Sequence, residues 1–221
     1  MAGDGDAAGA VRVLLADDHA AIRAGLRMVL DAAAEVVVVG EAADGAAAIV
    51  NARALRPDVV LMDVRMPGTD GIEATRQITA EGLAQVLVLT TFDLDEAVFG
   101  ALRAGAAGFL LKTATPDELL AAVRRVAAGD GVLAPEVVRR VLAAAVAGTP
   151  PATVDRAPSA ADLTDRECEV LDALGRGLSN AQIARELVIT EATAKTHVSR
   201  VLAKLGVASR VQAALIAQRI R

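Results

Sequence analysis

Five times between Val11 and about Gly129, a short run of β-branched and aliphatic residues gives way to a longer alanine-rich stretch. This alternation constrains the fold more than any other feature of the 221-residue chain. The runs are Val11–Ala16, Val36–Val39, Val59–Met62, Val86–Leu89 and Ala107–Leu111. Each is too short for a stable helix and apolar enough to be a strand buried on both faces. The stretches between them, Ala20–Ala33, Asp44–Leu55, Asp70–Ala80, Leu94–Ala104 and Pro116–Ala128, read as helices, with Pro116 near a helix start and Gly129 just past its end. Parallel strands need such crossovers, so the pattern predicts an α/β fold: a doubly wound five-stranded parallel sheet covered by helices on both faces.

Beyond Gly129 the rhythm stops. A helix is expected over 135–147, and Gly148–Ala161 collects Gly, Thr, Pro, Ser and Asp without periodicity, as a linker does. No strand pattern follows it. Thr164, Ser179, Thr190 and Ser209 each stand where a helix N-cap would, predicting four short helices over about 165–175, 179–187, 190–205 and 209–219. The expected organisation is a disordered tail (1–10), an α/β domain (11–130), a linker (131–161) and a small all-α domain (162–221).

Charge divides along the same boundary. The formal net charge is -5, yet residues 161–221 hold 9 Lys/Arg against 7 Asp/Glu, and from Lys195 onward six basic residues meet no acidic one. A basic surface at the C-terminus is therefore expected. The single cysteine, Cys168, excludes an intrachain disulfide framework and a cysteine-rich zinc site; it reads as a small buried hydrophobe in a reducing compartment. Met1–Ala10 is acidic and small where a signal peptide needs a positive start, and no apolar run approaches the ~20 residues that span a bilayer. A cytoplasmic protein without a membrane partner is expected.

Ligands of open parallel sheets bind beyond the carboxyl ends of the strands. Asp17 and Asp18 follow the first strand, Asp63 ends the third, Thr90 the fourth, and Lys112 closes the fifth. Singly, such residues are more often turn formers or helix caps than ligands. Together, three converging carboxylates would repel one another unless a hard cation with oxygen ligands joined them, and magnesium suits a site of few carboxylates that keeps room for a phosphoryl donor. Lys112 adds a positive point charge, and the Asp63 carboxylate is a competent nucleophile toward phosphorus.

The stretches LLADDH (Leu14–His19), VVLMDVRMPGTDG (Val59–Gly71), LTT (Leu89–Thr91) and GAAGFLLK (Gly105–Lys112) resemble the receiver domain of two-component response regulators over essentially all of residues 11–130. The resemblance implies Asp63 as phosphoacceptor and Lys112 as the lysine that senses the phosphoryl group. It also implies magnesium held by Asp18, Asp63 and the backbone carbonyl of Arg65, with Asp17 acting through water. Thr90 matches the switch hydroxyl, with Thr91 beside it as the alternative. Phe109 matches the aromatic that turns inward on activation, though core packing alone would also account for it. Thr113 stands where many receivers carry proline, and without proline a cis peptide at Lys112–Thr113 would cost about 2.5–4 kcal/mol more than trans, so the sequence leaves the isomer of that bond open.

In the last domain, Ile183, Ala184 and Leu187 on one helix and Val198, Val201, Leu202 and Leu205 on the next form inward stripes, leaving Lys195, Thr196, Ser199, Arg200 and Lys204 on other faces. Such a face is either simply solvated or able to enter a DNA major groove. Residues Leu163–Arg210 resemble the LuxR-type helix-turn-helix, so that the whole chain is similar to the NarL/FixJ family of response regulators. That resemblance implies a recognition helix over Thr190–Leu205, with Lys195, Thr196 and Ser199 reading bases and Arg200, Lys204 and Arg210 meeting phosphates of double-stranded promoter DNA. Val211, Ala214, Leu215 and Gln218 would form the face of an active homodimer, or else pack on the domain's own core. Arg166 and Glu167 read as contacts between helices, and His197 as packed or phosphate-facing. The implied protein is a transcriptional regulator and not an enzyme. A sensor histidine kinase is its phosphoryl donor and RNA polymerase a further partner, and activation proceeds through dimerisation or through release of a masked DNA-binding domain. A flavodoxin-like cofactor protein would need a phosphate loop where Ala16–His19 offers two carboxylates, and a dehalogenase-type phosphatase would need Asp-x-Asp there.

Overall fold

The computed structural model describes residues 9–90, 95–133 and 163–220. Strands β1 (Val11–Ala16), β2 (Val36–Ala42), β3 (Val59–Asp63), β4 (Gln85–Thr90) and β5 (Gly108–Leu111) alternate with helices α1 (Ala20–Asp31), α2 (Gly45–Leu55), α3 (Gly71–Ala80), α4 (Asp95–Arg103) and α5 (Pro116–Ala127). All pairings are parallel, in the order β2-β1-β3-β4-β5. The predicted doubly wound sheet is therefore present, with two differences. Strand β2 runs on to Ala42, because its pairing with β1 continues past a register shift between Val13 and Leu14. A two-residue strand, β6 (Val132–Leu133), lies parallel on the outer edge of β5. A side chain at Gly108 would meet the Val132 carbonyl at 2.8 Å, so glycine is what admits this edge. The N-terminal domain thus reaches Leu133, past the expected boundary at 130. Residues 1–8, Thr91, the expected helix over 135–147 and most of the linker lie outside the described residues.

Alternate residues of each strand feed opposite cores, as the period of two requires. Leu14, Val60, Met62, Val86, Val88 and Phe109 pack with α2, α3 and α4. Val13, Leu15, Val59, Leu61, Leu87 and Leu89 pack with Leu30 of α1 and with Leu119, Val123 and Val126 of α5. Every strand of the central sheet thereby points its carboxyl end at one edge.

The C-terminal domain comprises α6 (Asp165–Gly175), α7 (Asn180–Glu186), α8 (Glu191–Leu205) and α9 (Arg210–Ile220). Thr164 with Glu167 and Ser179 with Gln182 form reciprocal capping boxes, and Thr190 caps α8, each satisfying amides that a helix start leaves open. Ile183, Val198, Val201 and Leu205 are buried with Val170 and Leu174 of α6, as their spacing predicts. Cys168 is exposed instead, because the buried stripe of α6 runs through Glu167, Val170, Leu171 and Leu174 and leaves it outside.

The two domains pack on each other. Val211 of α9 is buried in the core of the N-terminal domain beside Phe109, Val98 and Leu102, with Leu215 packed against the same cluster. Gly105 has φ +92, and a methyl there would lie 2.6 Å from the Ala208 Cβ. Only glycine allows both that backbone and that approach.

One strained residue stands out in the turn between α7 and α8. Val188 has φ 55 and is 89% exposed, so a β-branched side chain occupies the left-handed region without burying anything in return. Asparagine tolerates that conformation better. Val188→Asn is expected to stabilise the C-terminal domain by about 0.5–1 kcal/mol, a fraction of the usual left-handed penalty. A urea-unfolding midpoint at or below that of the wild type would contradict this.

Candidate functional site

The carboxyl edge of the sheet gathers the residues that the strand ends predicted. Asp17 follows β1, Asp63 ends β3, Thr90 ends β4 and Lys112 follows β5. Lys112 Nζ lies 2.7 Å from Asp17 Oδ2 and 2.9 Å from Asp63 Oδ2, so one ammonium bridges two carboxylates from different strands. Its side chain is only 16% exposed, and Asp17 and Asp63 are buried. Burial pushes the Asp63 carboxyl above its ordinary value, against the lowering pull of Lys112 and of the Arg65 backbone. Burial would lower the Lys112 ammonium, but its hydrogen bonds and charge attraction with Asp17 and Asp63 outweigh this and raise it.

Local structure holds this geometry. Asp17 Oδ1 accepts from the His19 backbone N–H at 2.8 Å, and Arg23, itself paired with Glu41, donates to the Asp17 carbonyl at 2.6 Å. The Lys112 amide donates to the Thr90 carbonyl at 2.9 Å, tying the fourth and fifth strand ends together, and Thr90 itself is buried. Behind Asp63, the chain turns back so tightly that a methyl on Gly71 would lie 1.8 Å from the Asp63 carbonyl oxygen. The Gly71 amide donates to Val64, and Asp70 caps α3 through the Glu73 amide.

The donor set fits a magnesium ion. Three carboxylates against one ammonium leave a surplus of two negative charges. Oδ1 of Asp18 is buried without accepting a hydrogen bond. A divalent cation would satisfy both conditions. His19, which the sequence reading passed over, has Nδ1 2.6 Å from that oxygen, and its donor atom clusters with those of Asp17 and Asp18. Its position directly after the acidic pair was the available signal. Asp63 is joined to that cluster through Lys112. Phe109 is fully buried, in a cluster that includes Val211 of the other domain.

On α8, Lys195, Thr196, Ser199, Arg200 and Lys204 are exposed as expected. Two of the hydroxyls turn back to their own helix, Thr196 onto the Ala192 carbonyl and Ser199 onto that of Lys195, both at 3.0 Å. Lys204 pairs with Glu167 at 2.6 Å, while Arg166 donates to the Leu187 carbonyl at 2.5 Å, so Arg166 and Glu167 do join helices. His197 is partly buried, with Nδ1 making no hydrogen bond.

Arg210 and the expected dimer face are placed differently from a free surface. The Arg210 side chain is 9% exposed and reaches Asp130 of the N-terminal domain at 2.7 Å. Burial pulls its guanidinium below its ordinary value, and the charge of Asp130 opposes that. Val211 and Leu215 pack into the N-terminal domain, and Gln218 donates to the Gly175 carbonyl of α6 at 2.8 Å. Two residues of the α9 stripe, Val211 and Leu215, pack into the receiver cluster that includes α4, which the periodicity could not reveal. Lys195 comes close to the N-terminal domain too: its Cε would be 3.9 Å from a side chain at Gly129.

A doubly wound sheet with an acidic, lysine-bridged carboxyl edge, joined to a capped helix-turn-helix, defines a receiver coupled to a DNA-binding head, and comparison with known proteins agrees. Residues 13–124 match the response regulator receiver domain, and residues 161–217 match the luxR family of bacterial regulatory proteins. The chain belongs to the response regulators that combine these two domains, a family of transcriptional regulators and not of enzymes. It is 41% identical to the transcriptional regulatory protein LiaR of Bacillus subtilis over 95% of this chain and 97% of the relative. It is 40% identical to the nitrate/nitrite response regulator NarL of Escherichia coli over 92% and 93%. The crystal structure of response regulator ChrA, from a heme-sensing two-component system, covers 96% of this chain and 98% of its own, with a TM-score of 0.55 and 42% identity. A structure of RcsB dimers bound to DNA covers 96% and 100%, with a TM-score of 0.55 and 25% identity. Among the described residues no helix is long and apolar enough to cross a membrane.

Two outcomes follow from the packing and charges of the two domains. Gly71→Ala forces the loop away from Asp63 and is expected to destabilise the receiver by about 1–3 kcal/mol, the usual range for overpacking; an unaltered urea midpoint would contradict the tight turn. The Glu167 carboxyl is lowered from 4.5 to about 2, first by its hydrogen bond with Lys204 and then by the Thr164 amide. A lowered carboxyl contributes stability in full above its unfolded value and loses it as pH falls through the folded one. The melting temperature of the C-terminal domain should therefore drop between about pH 4.5 and pH 2, and less steeply in Glu167→Gln. Parallel profiles would contradict the assignment.

Proposed function

We propose that this chain is a cytoplasmic response regulator that takes a phosphoryl group on Asp63 from a histidine kinase and, once phosphorylated, binds promoter DNA through α8. The observation that carries this reading is the Lys112 ammonium bridging Asp17 and Asp63 at the ligand-binding edge of the sheet.

An oxygen of the Asp63 carboxylate attacks the phosphorus of a phosphohistidine on the kinase. The phosphorus–nitrogen bond breaks with its electron pair returning to the imidazole, and an acyl phosphate remains on Asp63. Asp18, Asp63 and the Arg65 carbonyl, with Asp17 through water, would hold magnesium, which supplies charge neutralisation for the transferring group. Lys112, already hydrogen-bonded to Asp63, shifts its positive charge onto the new phosphoryl oxygens, and the Thr90 hydroxyl orients toward them. Phosphorylation replaces the single negative charge of the Asp63 carboxylate with close to two on the acyl phosphate, a gain of about one, adds three strong acceptor oxygens at one spot and biases the packing around it.

Of the two activation routes, release of a masked DNA-binding domain has specific support. Lys195 closely approaches the receiver, Arg210 is held by Asp130, and the prospective dimer residues Val211 and Leu215 are packed against α4. Phe109 shares that cluster, so a repacking around this aromatic would reach the seam. Opening releases Arg210 for a phosphate and moves the receiver away from Lys195, so that Lys195, Thr196 and Ser199, exposed on α8, can meet base edges and Arg200 and Lys204 phosphates without the receiver in the way. It also uncovers Val211 and Leu215, so that the α9 face, with Ala214 and Gln218, can pair two copies on half-sites related by two-fold symmetry, where RNA polymerase is the further partner.

Intact mass after incubation with acetyl phosphate and magnesium tests the chemistry. The wild type should gain one phosphoryl group, about 80 Da, and Asp63→Asn should gain none. A gain that persists in Asp63→Asn would overturn the role of Asp63.

A further inference from the structure

At the seam between the domains, Arg210 makes four hydrogen bonds while only 9% exposed. Two come from its own domain: Nη2 donates to the Leu178 carbonyl at 2.5 Å and Nη1 to Asn180 Oδ1 at 3.3 Å. These fix the direction of the guanidinium without help from the receiver. The other two cross the seam, from Nη1 to the Gly129 carbonyl at 2.9 Å and to Asp130 Oδ1 at 2.7 Å. The Asn180 backbone N–H donates to that same Asp130 oxygen at 2.9 Å, and Asn180 Nδ2 donates to the Ala128 carbonyl at 3.2 Å. The DNA-binding domain thus presents a preoriented guanidinium and an amide converging on one anionic oxygen. A phosphodiester oxygen makes the same demand, a charge-assisted acceptor for a guanidinium and an N–H. The site also lies where a DNA backbone would run, since Asn180 begins the first helix of the helix-turn-helix and Gly129 neighbours Lys195 of the recognition helix.

We infer that Asp130 stands in for a DNA phosphate: it occupies, from within the same chain, the site on Arg210 that a phosphodiester takes when the domains part. The inference rests on the DNA-binding reading above and adds the identity of the competitor. Arg210 is then one cation shared between two mutually exclusive anions. A residue that merely held the domains shut would raise DNA binding when removed. Arg210 instead must leave binding without that gain, because its loss opens the seam and deletes the phosphate contact together. Asp130 must behave oppositely, since its loss opens the seam and keeps the contact.

The test uses the full chain carrying Asp63→Asn, so that no molecule is phosphorylated, with a fluorescein-labelled mixed-sequence DNA duplex as probe and small-angle scattering for compactness. Added Asp130→Asn should raise the radius of gyration and tighten DNA binding about tenfold, within the range of ordinary coupling between sites. Asp130→Ser serves if the asparagine variant misfolds. Added Arg210→Gln should expand the protein equally yet gain no affinity. Its plot of log affinity against log salt should be shallower than that of the Asp130 variant by about 0.9, one phosphate contact. Equal gains in the two variants, or an Asp130 variant that opens without binding more tightly, would overturn the inference. If phosphorylated wild type also fails to bind any DNA more tightly than the unphosphorylated protein, the regulatory reading itself falls, and the inference with it.

Discussion

The Lys112 ammonium held between Asp17 and Asp63 is the contact on which the N-terminal half of this molecule depends. Two carboxylates carried by neighbouring strands, β1 and β3, would otherwise face each other in a buried position, at a cost that grows as water is excluded. The lysine reaches them from beyond β5, two strands away from β3, which is possible only because the sheet order sets all three chain ends on one edge. The compensation is incomplete. Asp63 remains raised by burial and Asp18 keeps an oxygen without a hydrogen bond, so the site stays short of positive charge. A pocket poised in this way favours whatever brings a cation and takes up the lysine, as a phosphoryl group with its magnesium does.

A second buried charge pair, Arg210 with Asp130, organises the seam, and packing connects the two places. Val88 on β4 pairs in register with Phe109 on β5, two residues before Thr90 ends its strand. Phe109 touches the cluster formed by Val98, Ala101 and Leu102 of α4, and that cluster receives Val211 from the DNA-binding domain. Gln212 then donates to the Leu102 and Arg103 carbonyls at 2.8 and 3.1 Å, filling acceptors that the end of α4 leaves open. A change of position in α4 therefore meets both an apolar and a hydrogen-bonded connection to α9. Close-packed contacts of this kind convert small shifts into discrete alternatives.

The alternation of strands and helices was legible in the sequence because buried parallel strands and their crossovers leave a strong periodic record, and the cap residues Thr164, Ser179 and Thr190 marked their helices within one residue. The acidic pocket was legible for a related reason: residues at strand ends converge once the sheet order is known. What escaped were features set by a partner surface. The stripe Val211, Ala214, Leu215, Gln218 has one periodicity whether it meets its own core, a second copy or α4, so pattern alone could not choose. Asp130 belongs to no motif of the sequence, and Arg210 was expected only as a phosphate contact. Their pairing spans 80 residues and appears only when the domains are docked. Strand β6 is two residues long, below what periodicity can register, and Cys168 was misread because its burial depends on which face of α6 is covered.

Mutual exclusion is what gives these contacts regulatory consequence on the proposed reading. Val211 and Leu215 cannot pack on α4 and on a second copy at once, and Arg210 cannot pair with Asp130 and with a phosphate at once. Closed and open forms then differ in the surfaces they offer, so a ligand that binds only the open form must shift the balance toward it by its own differential affinity. The coupling is reciprocal. If phosphorylation favours DNA binding by opening the seam, DNA favours by the same free energy the arrangement around Asp63 that goes with the open seam. A regulator built this way carries no separate signal from pocket to DNA; it has one packed interface, and the phosphoryl group, the second copy and the DNA each act by making that interface the less favourable alternative.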